Sequence, residues 1–296
     1  MDTLPSRIPG GKICAAMPAH HQPQWTTDET TMKKQMTAIL GALLLLTLGL
    51  GASASRAQQS VRIGVEGEYA PFNEVDKDGK VKGFDVDIAN ALCDEMRVKC
   101  SFVIQTWDGI IPALISNKYD MIVSSVLITE KRKKVVAFSK PYYTDHAVIV
   151  GPKGKAMTIR SDGLEGKTIG VQTASVYEKI LKEKFPAATA KSYAAVPDHN
   201  LDLGNGRLDA VLAAQLPMLE WLKTNEGKNF EVKGQPFMDA KFMGAGAGVA
   251  LRKGDTGLLN KVNAALDTIF KNGKYDAINK KYFPISIRPQ ANEMPP

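Results

Sequence analysis

Short β-branched runs alternate along this chain with segments of helical apolar spacing, and the alternation starts a second time midway. Val61-Arg62-Ile63-Gly64-Val65 ends in the turn-like Glu66-Gly67-Glu68. Residues 81–84 read as a second short strand, 85–92 as a helix and 100–105 as a strand. A helix over 110–117 and a buried strand over 119–124 follow, and Thr129-Glu130-Lys131-Arg132 has an N-cap with an acidic first turn. After a strand over 147–150 the pattern restarts, with strands predicted over 166–171, 189–193 and 208–213 and helices over 175–185 and 199–205. Such alternation predicts an α/β protein whose mostly parallel sheets are covered on both faces. Two final helices, over 257–271 and 274–282, have no sheet of their own and are assigned back to the first unit. Two connections between two units predict a hinged pair.

The chain has 296 residues, 44% hydrophobic and 23% charged, which excludes disorder and coiled coil. Its net charge of +7 is spread by alternating Lys with Asp and Glu rather than gathered in a basic stripe, which argues against a nucleic-acid partner. Met32-Lys33-Lys34 precedes an uncharged stretch with a leucine-rich centre and small residues at its end. This predicts a secretory signal, cleaved after Ser55-Arg56-Ala57 or Ala52-Ser53-Ala54. An uncleaved anchor is the alternative, disfavoured because the strongly apolar part is shorter than the ~20 residues a bilayer span needs. Residues 1–31 are unusual ahead of an export signal, so Met32 is the expected translation start. No Cys follows the apolar run to carry a lipid, so the product is expected free in an exported compartment. Of three cysteines, Cys14 falls in the leader, while Cys93 and Cys100 lie seven apart. In an oxidising compartment this pair is expected to form a disulfide. Metal binding is the rival reading, and the two remaining histidines, His146 and His199, have no paired spacing to complete such a site.

Five segments together resemble one known family: Glu66-Gly67-Glu68-Tyr69-Ala70-Pro71-Phe72-Asn73, Gly83-Phe84-Asp85-Val86-Asp87, Trp107-Asp108-Gly109-Ile110-Ile111-Pro112-Ala113-Leu114, Ser124-Ser125 with Ile128-Thr129-Glu130-Lys131-Arg132, and Gly206-Arg207-Leu208-Asp209-Ala210. The chain resembles the periplasmic solute-binding proteins of polar amino-acid ABC transporters (family 3), especially the lysine/arginine/ornithine-, histidine- and opine-binding members. The resemblance implies the type II periplasmic binding protein fold: two α/β lobes joined by two crossover strands, with a ligand cleft between them. It implies a first lobe from 58–145 and 243–288, a second lobe over 146–242, a leader over 1–57 and a flexible tail over 289–296. It also implies the Cys93–Cys100 disulfide, an inner-membrane permease as partner, a monomeric periplasmic protein, and neither cofactor nor metal.

Residue by residue, the resemblance makes Arg132 the carboxylate-binding group, a role its planar fork suits; without it, a basic run such as Glu130 to Lys134 reads as a solvated helix face. Ser124 and Ser125 are expected to add hydroxyl or backbone bonds. Tyr69 and Trp107 are expected to sandwich the ligand side chain, against ordinary core filling, and Glu66 to meet a distal cation, against a solvent-facing turn. Gln172, Thr173, Ala174 and Ser175 are expected to aim backbone N–H groups into the cleft, with Ser175 the best side chain and Tyr177 a contributor. Two departures stand out. Leu127 and Ala214 occupy the positions where relatives pair the ligand's α-ammonium, and an unpaired ammonium is costly to bury. The residues therefore favour an opine-like conjugate, or another basic compound without a free α-ammonium, over plain arginine, lysine, ornithine or histidine. His199-Asn200-Leu201-Asp202-Leu203 also looks similar to opine-binding members.

A binding protein rather than an enzyme is expected. The alternative is a periplasmic dehydratase on the same fold, with Glu66 as its acid. No phosphate-binding or nucleophile-elbow motif occurs. The glycines at 244, 246 and 248 precede a strand rather than follow one, and read as a flexible hinge.

Overall fold

A computed structural model describes residues 59–289. The leader, its signal and cleavage site, Cys14 and residues 290–296 lie outside the described residues. Thirteen strands are described: β1 Ser60–Val65, β2 Glu68–Tyr69, β3 Asn73–Val75, β4 Val81–Lys82, β5 Lys99–Ile104, β6 Met121–Ile122, β7 Ala137–Tyr143, β8 Ala147–Pro152, β9 Thr168–Gln172, β10 Thr189–Tyr193, β11 Ala210–Ala214, β12 Phe230–Phe237 and β13 Ala247–Leu251.

They form two five-stranded sheets of matching order, β5-β1-β6-β13-β7 and β10-β9-β11-β8-β12, and a small β2-β3-β4 meander. In the first sheet β5, β1 and β6 are parallel and β13 runs against both neighbours. In the second, β10, β9 and β11 are parallel and β8 is the reversed strand. The reversed strands are those the chain enters on crossing between sheets, β7 to β8 and β12 to β13. Ligands of parallel α/β sheets bind beyond the carboxyl ends of the strands, and both crossings leave those ends facing a shared cleft.

Several expectations shift in detail. Residue 84 belongs to the helix Phe84–Met96 rather than to the strand before it, because Phe84 caps an aromatic cluster. Its ring meets Phe72, Tyr143, Tyr275 and Phe283 edge-on at 5.4–6.1 Å, a favoured geometry for aromatic pairs. The predicted strand over 119–124 pairs only at Met121–Ile122. The edge strand β12 has no sequence counterpart: its residues are half-exposed, and Gly234-Gln235-Pro236 breaks the alternation where the register shifts. The helices Thr256–Lys271 and Lys274–Tyr282 pack on Phe84–Met96 of the first sheet's layer.

The glycines at 244 and 246 are set by close approach rather than by looseness. Gly244 has φ +64° and a Cβ there would sit 1.7 Å from the Ile128 carbonyl oxygen; at Gly246, φ +104°, it would sit 2.5 Å from that of Tyr143. Backbone contact at the return crossing, not flexibility, requires them. Cys93 and Cys100 form a disulfide joining the helix Phe84–Met96 to β5, so the metal reading of this pair falls away.

Candidate functional site

A narrow, largely closed cavity lies between the two sheets' strand ends. It brings together Glu66, Tyr69, Trp107, Ser124, Ser125, Leu127, Arg132, Gln172, Ser175 and Tyr177, all singled out in the sequence, and adds Tyr143, Asp145 and Val176, while Thr173 and Ala174 are not in its lining. Glu66 follows β1, Ser124 and Ser125 follow β6, Asp145 links β7 to β8, and Gln172 ends β9.

Arg132 sits on the short helix Glu130–Lys133, whose N-cap Thr129 accepts the Arg132 N–H. Its guanidinium donates to the Leu127 carbonyl at 3.0 Å and lies over the Trp107 ring, 5.1 Å from the centroid. Burial lowers its pKa to about 10, and no carboxylate of the described residues pairs with it. A cation held from two sides and lacking an anionic partner is suited to a ligand carboxylate. Trp107 thus supports Arg132 as well as lining the cavity.

Glu66 is buried, 4% exposed, and burial pushes its carboxyl up to about 7, with the nearby Glu68 and Asp85 charges adding to the shift against the Gln172 hydrogen bond. Gln172 donates to it from across the cleft at 2.5 Å and also reaches the Ala194 carbonyl.

The two serines differ: the Ser125 hydroxyl is committed within the protein, whereas Ser124 Oγ accepts a backbone N–H and keeps its own proton to donate. Ser124 Oγ accepts the Glu66 N–H at 3.0 Å. Ser125 adopts the left-handed region, φ +54°, and its Oγ donates to Asp85 at 2.8 Å while its N–H meets the Tyr142 hydroxyl at 3.1 Å. Asp85 also receives Tyr142 at 2.6 Å and Asn73 at 2.8 Å; burial raises its carboxyl to about 6 against those bonds. This inward network holds a strained turn in place.

In the second sheet the expected N–H donors are spent. Thr173 donates to the Tyr193 carbonyl, Ala174 to Glu178 and Ser175 to the Gln172 carbonyl. Ser175 Oγ caps the helix Val176–Lys184 by accepting from Glu178. The N–H groups left without intrahelical acceptors are those of Val176 and Tyr177, which line the cavity.

Asp145 was not singled out in the sequence. It is 5% exposed, and burial pushes its carboxyl up to about 7 against the N–H bonds from His146 at 2.7 Å and Leu216 at 3.1 Å. No cationic side chain contributes to its environment. Only its place one residue before a histidine in the β7–β8 link marks it in the sequence, and that is no signal.

Other sequence features lie elsewhere. His199 is fully buried beneath the second sheet, and Asp202 is bound by Lys191, Tyr193 and Arg207, so the segment 199–203 does not reach the cavity. Asp209 accepts the Thr168 N–H and ties β11 to β9. A wider groove between Ala70-Pro71 and the helices Val196–Gly204 and Gln215–Trp221 is lined by Glu68, Asp198, Glu220 and Glu226 without a basic side chain, so it offers no partner for a carboxylate.

Residues 61–285 match the model of the bacterial extracellular solute-binding proteins, family 3. The chain is 42% identical to an L-arginine-binding protein of Pseudomonas aeruginosa, over 86% of this chain and 98% of that one. It is 38% identical to the lysine/arginine/ornithine-binding periplasmic protein of Escherichia coli, over 86% of this chain and 99% of the relative. Among solved structures, a periplasmic binding protein of Salmonella typhimurium described for its high arginine specificity superposes with a TM-score of 0.72 at 35% identity, covering 76% of this chain and 99% of that one.

Proposed function

Because the chain belongs to family 3 of the bacterial extracellular solute-binding proteins, we propose that it captures a basic amino acid in the periplasm and delivers it to an inner-membrane ABC permease. The observation that carries this reading is the charge layout of the cavity, with one unpaired guanidinium, Arg132, and two buried carboxylates, Glu66 and Asp145. Arg132 takes the ligand carboxylate, with the Val176 and Tyr177 N–H groups as further donors. Glu66 takes the distal cation, and Tyr69 and Trp107 flank the aliphatic stem. Relatives named for arginine, and for lysine, arginine and ornithine, support the same class. The protein acts as a monomer, exported by a cleaved signal peptide.

The Gln172–Glu66 bond and the lining from both sheets favour a closing cleft, in which ligand shifts the population toward the closed form by its differential affinity. Calorimetric titration of purified protein with arginine, lysine, ornithine and histidine tests the reading; no heat with any of them sinks it. Glu66 near pH 7 is also what a dehydratase acid requires, so consumption of prephenate or arogenate would favour an enzyme instead.

A further inference from the structure

We propose that Asp145 receives the α-ammonium of the ligand, making the protein selective for a compound with a charged α-nitrogen. This deepens the basic amino-acid reading and rests on it.

The argument begins with strand pairing. Ala147 of β8 stands opposite Ala214 of β11, and two residues earlier Asp145 accepts the Leu216 N–H just beyond the end of β11. The carboxylate therefore sits at the carboxyl end of β11 although β11 itself ends in Ala213-Ala214. Asp145 stands in the cavity wall with Leu127, Tyr143 and Tyr177. A carboxylate offers about four lone-pair sites, and the two backbone bonds occupy only two. It is nine-tenths buried and has no cationic partner among the described residues. An unpaired buried charge is costly, and a ligand cation removes that cost.

Tyr177 feels both the Asp145 and the Arg132 charges, and Tyr69 both the Asp145 and the Glu66 charges, so the guanidinium and the two carboxylates serve one cavity. Glu66 lies by Gln172, Glu68 and Asp85. Two anionic points and one cationic point match an amino acid carrying an α-carboxylate, an α-ammonium and a side-chain cation. An opine conjugate keeps a charged secondary ammonium but brings a further carboxylate into a cavity whose lining has one basic side chain. The gap left by Leu127 and Ala214 is thus filled from the neighbouring strand.

The test is calorimetry with L-arginine and its α-hydroxy analogue, in which a hydroxyl replaces the ammonium, on wild-type protein and Asp145→Asn. The wild type is expected to prefer arginine by on the order of 100-fold. Asp145→Asn should weaken arginine to the level of the analogue and leave the analogue unchanged. Equal wild-type affinities for the two compounds overturn the proposal without needing any variant. Equal weakening of both compounds in Asp145→Asn also overturns it, because that is the signature of Asp145 merely capping Leu216. If the wild type binds no basic amino acid, the functional reading itself fails and takes this one with it.

Discussion

The Gln172 side-chain amide, at the end of β9 in the second sheet, donates at 2.5 Å to the Glu66 carboxylate, just past the end of β1 in the first. Both residues stand at the carboxyl end of the central strand of their sheet's parallel trio, so one hydrogen bond bridges the two sheets. A hydrogen bond to a charged group contributes about 1.5–3 kcal/mol. Gln172→Leu is therefore expected to open the ligand-free protein, read as a larger radius of gyration in small-angle scattering. An unchanged radius with and without ligand would show that the bridge does not hold the cleft.

Arg132 has its direction set within the cavity wall, by the Leu127 carbonyl and the Trp107 face. Arg132→Ala should nearly abolish binding, and Arg132→Lys should lose most of it, since a lysine cannot present a planar fork to a carboxylate. Neither change is expected to lower the melting temperature of the ligand-free protein appreciably. A dissociation constant within threefold of wild type in either variant, threefold being about 0.6 kcal/mol, contradicts the site.

Acid should weaken binding. Glu66 and Asp145 both titrate near 7 in the empty cavity because burial disfavours their charged forms, and a bound cation stabilises those forms. Cation binding therefore expels protons near neutral pH, and affinity falls as pH drops from about 7 toward 5. The groups facing them agree in sign: Glu68 and Asp85 oppose ionisation of Glu66, while Tyr69, Tyr143 and Tyr177 around Asp145 are neutral in this range. Binding heats measured in buffers of different ionisation enthalpy should reveal proton release at pH 7; buffer-independent heats would refute it.

His199 makes the opposite demand on stability. Burial lowers its pKa to about 4 from the usual 6.5, against the smaller opposing effect of the neighbouring Asn200 side chain. Between those values the unfolded chain binds the proton and the folded one does not, so this group's contribution is lost as pH falls from about 6.5 toward 4. Its full size is about 3 kcal/mol. Glu66, Asp85 and Asp145, raised rather than lowered, favour the folded state over the same range. The comparison is consequently wild type against His199→Leu: relative to the variant, the wild type should lose stability in chemical unfolding as pH falls from about 6.5 toward 4. A constant difference would mean that His199 is protonated when folded.

Much of this molecule is readable from local spacing. β-branched runs ending in polar turns identified β1 and β9, the strands whose carboxyl ends carry Glu66 and Gln172. The Thr129 cap placed Arg132 at a helix start, but the binding roles given to Glu66 and Arg132 came from the family resemblance, since local pattern alone reads a turn carboxylate and a solvated basic run. What local pattern could not supply is anything that depends on which strand lies beside which. Asp145 is an unremarkable loop residue until β8 pairs with β11 and brings it against Leu216; the Ser125 hydroxyl looks free until Asp85, forty residues away, takes it. β12 escaped notice because an edge strand buries too little to impose a period on its residues. Chemistry at strand ends is written in neighbouring letters, whereas the pairing of buried charges and the spending of hydroxyls follow from contacts between distant segments.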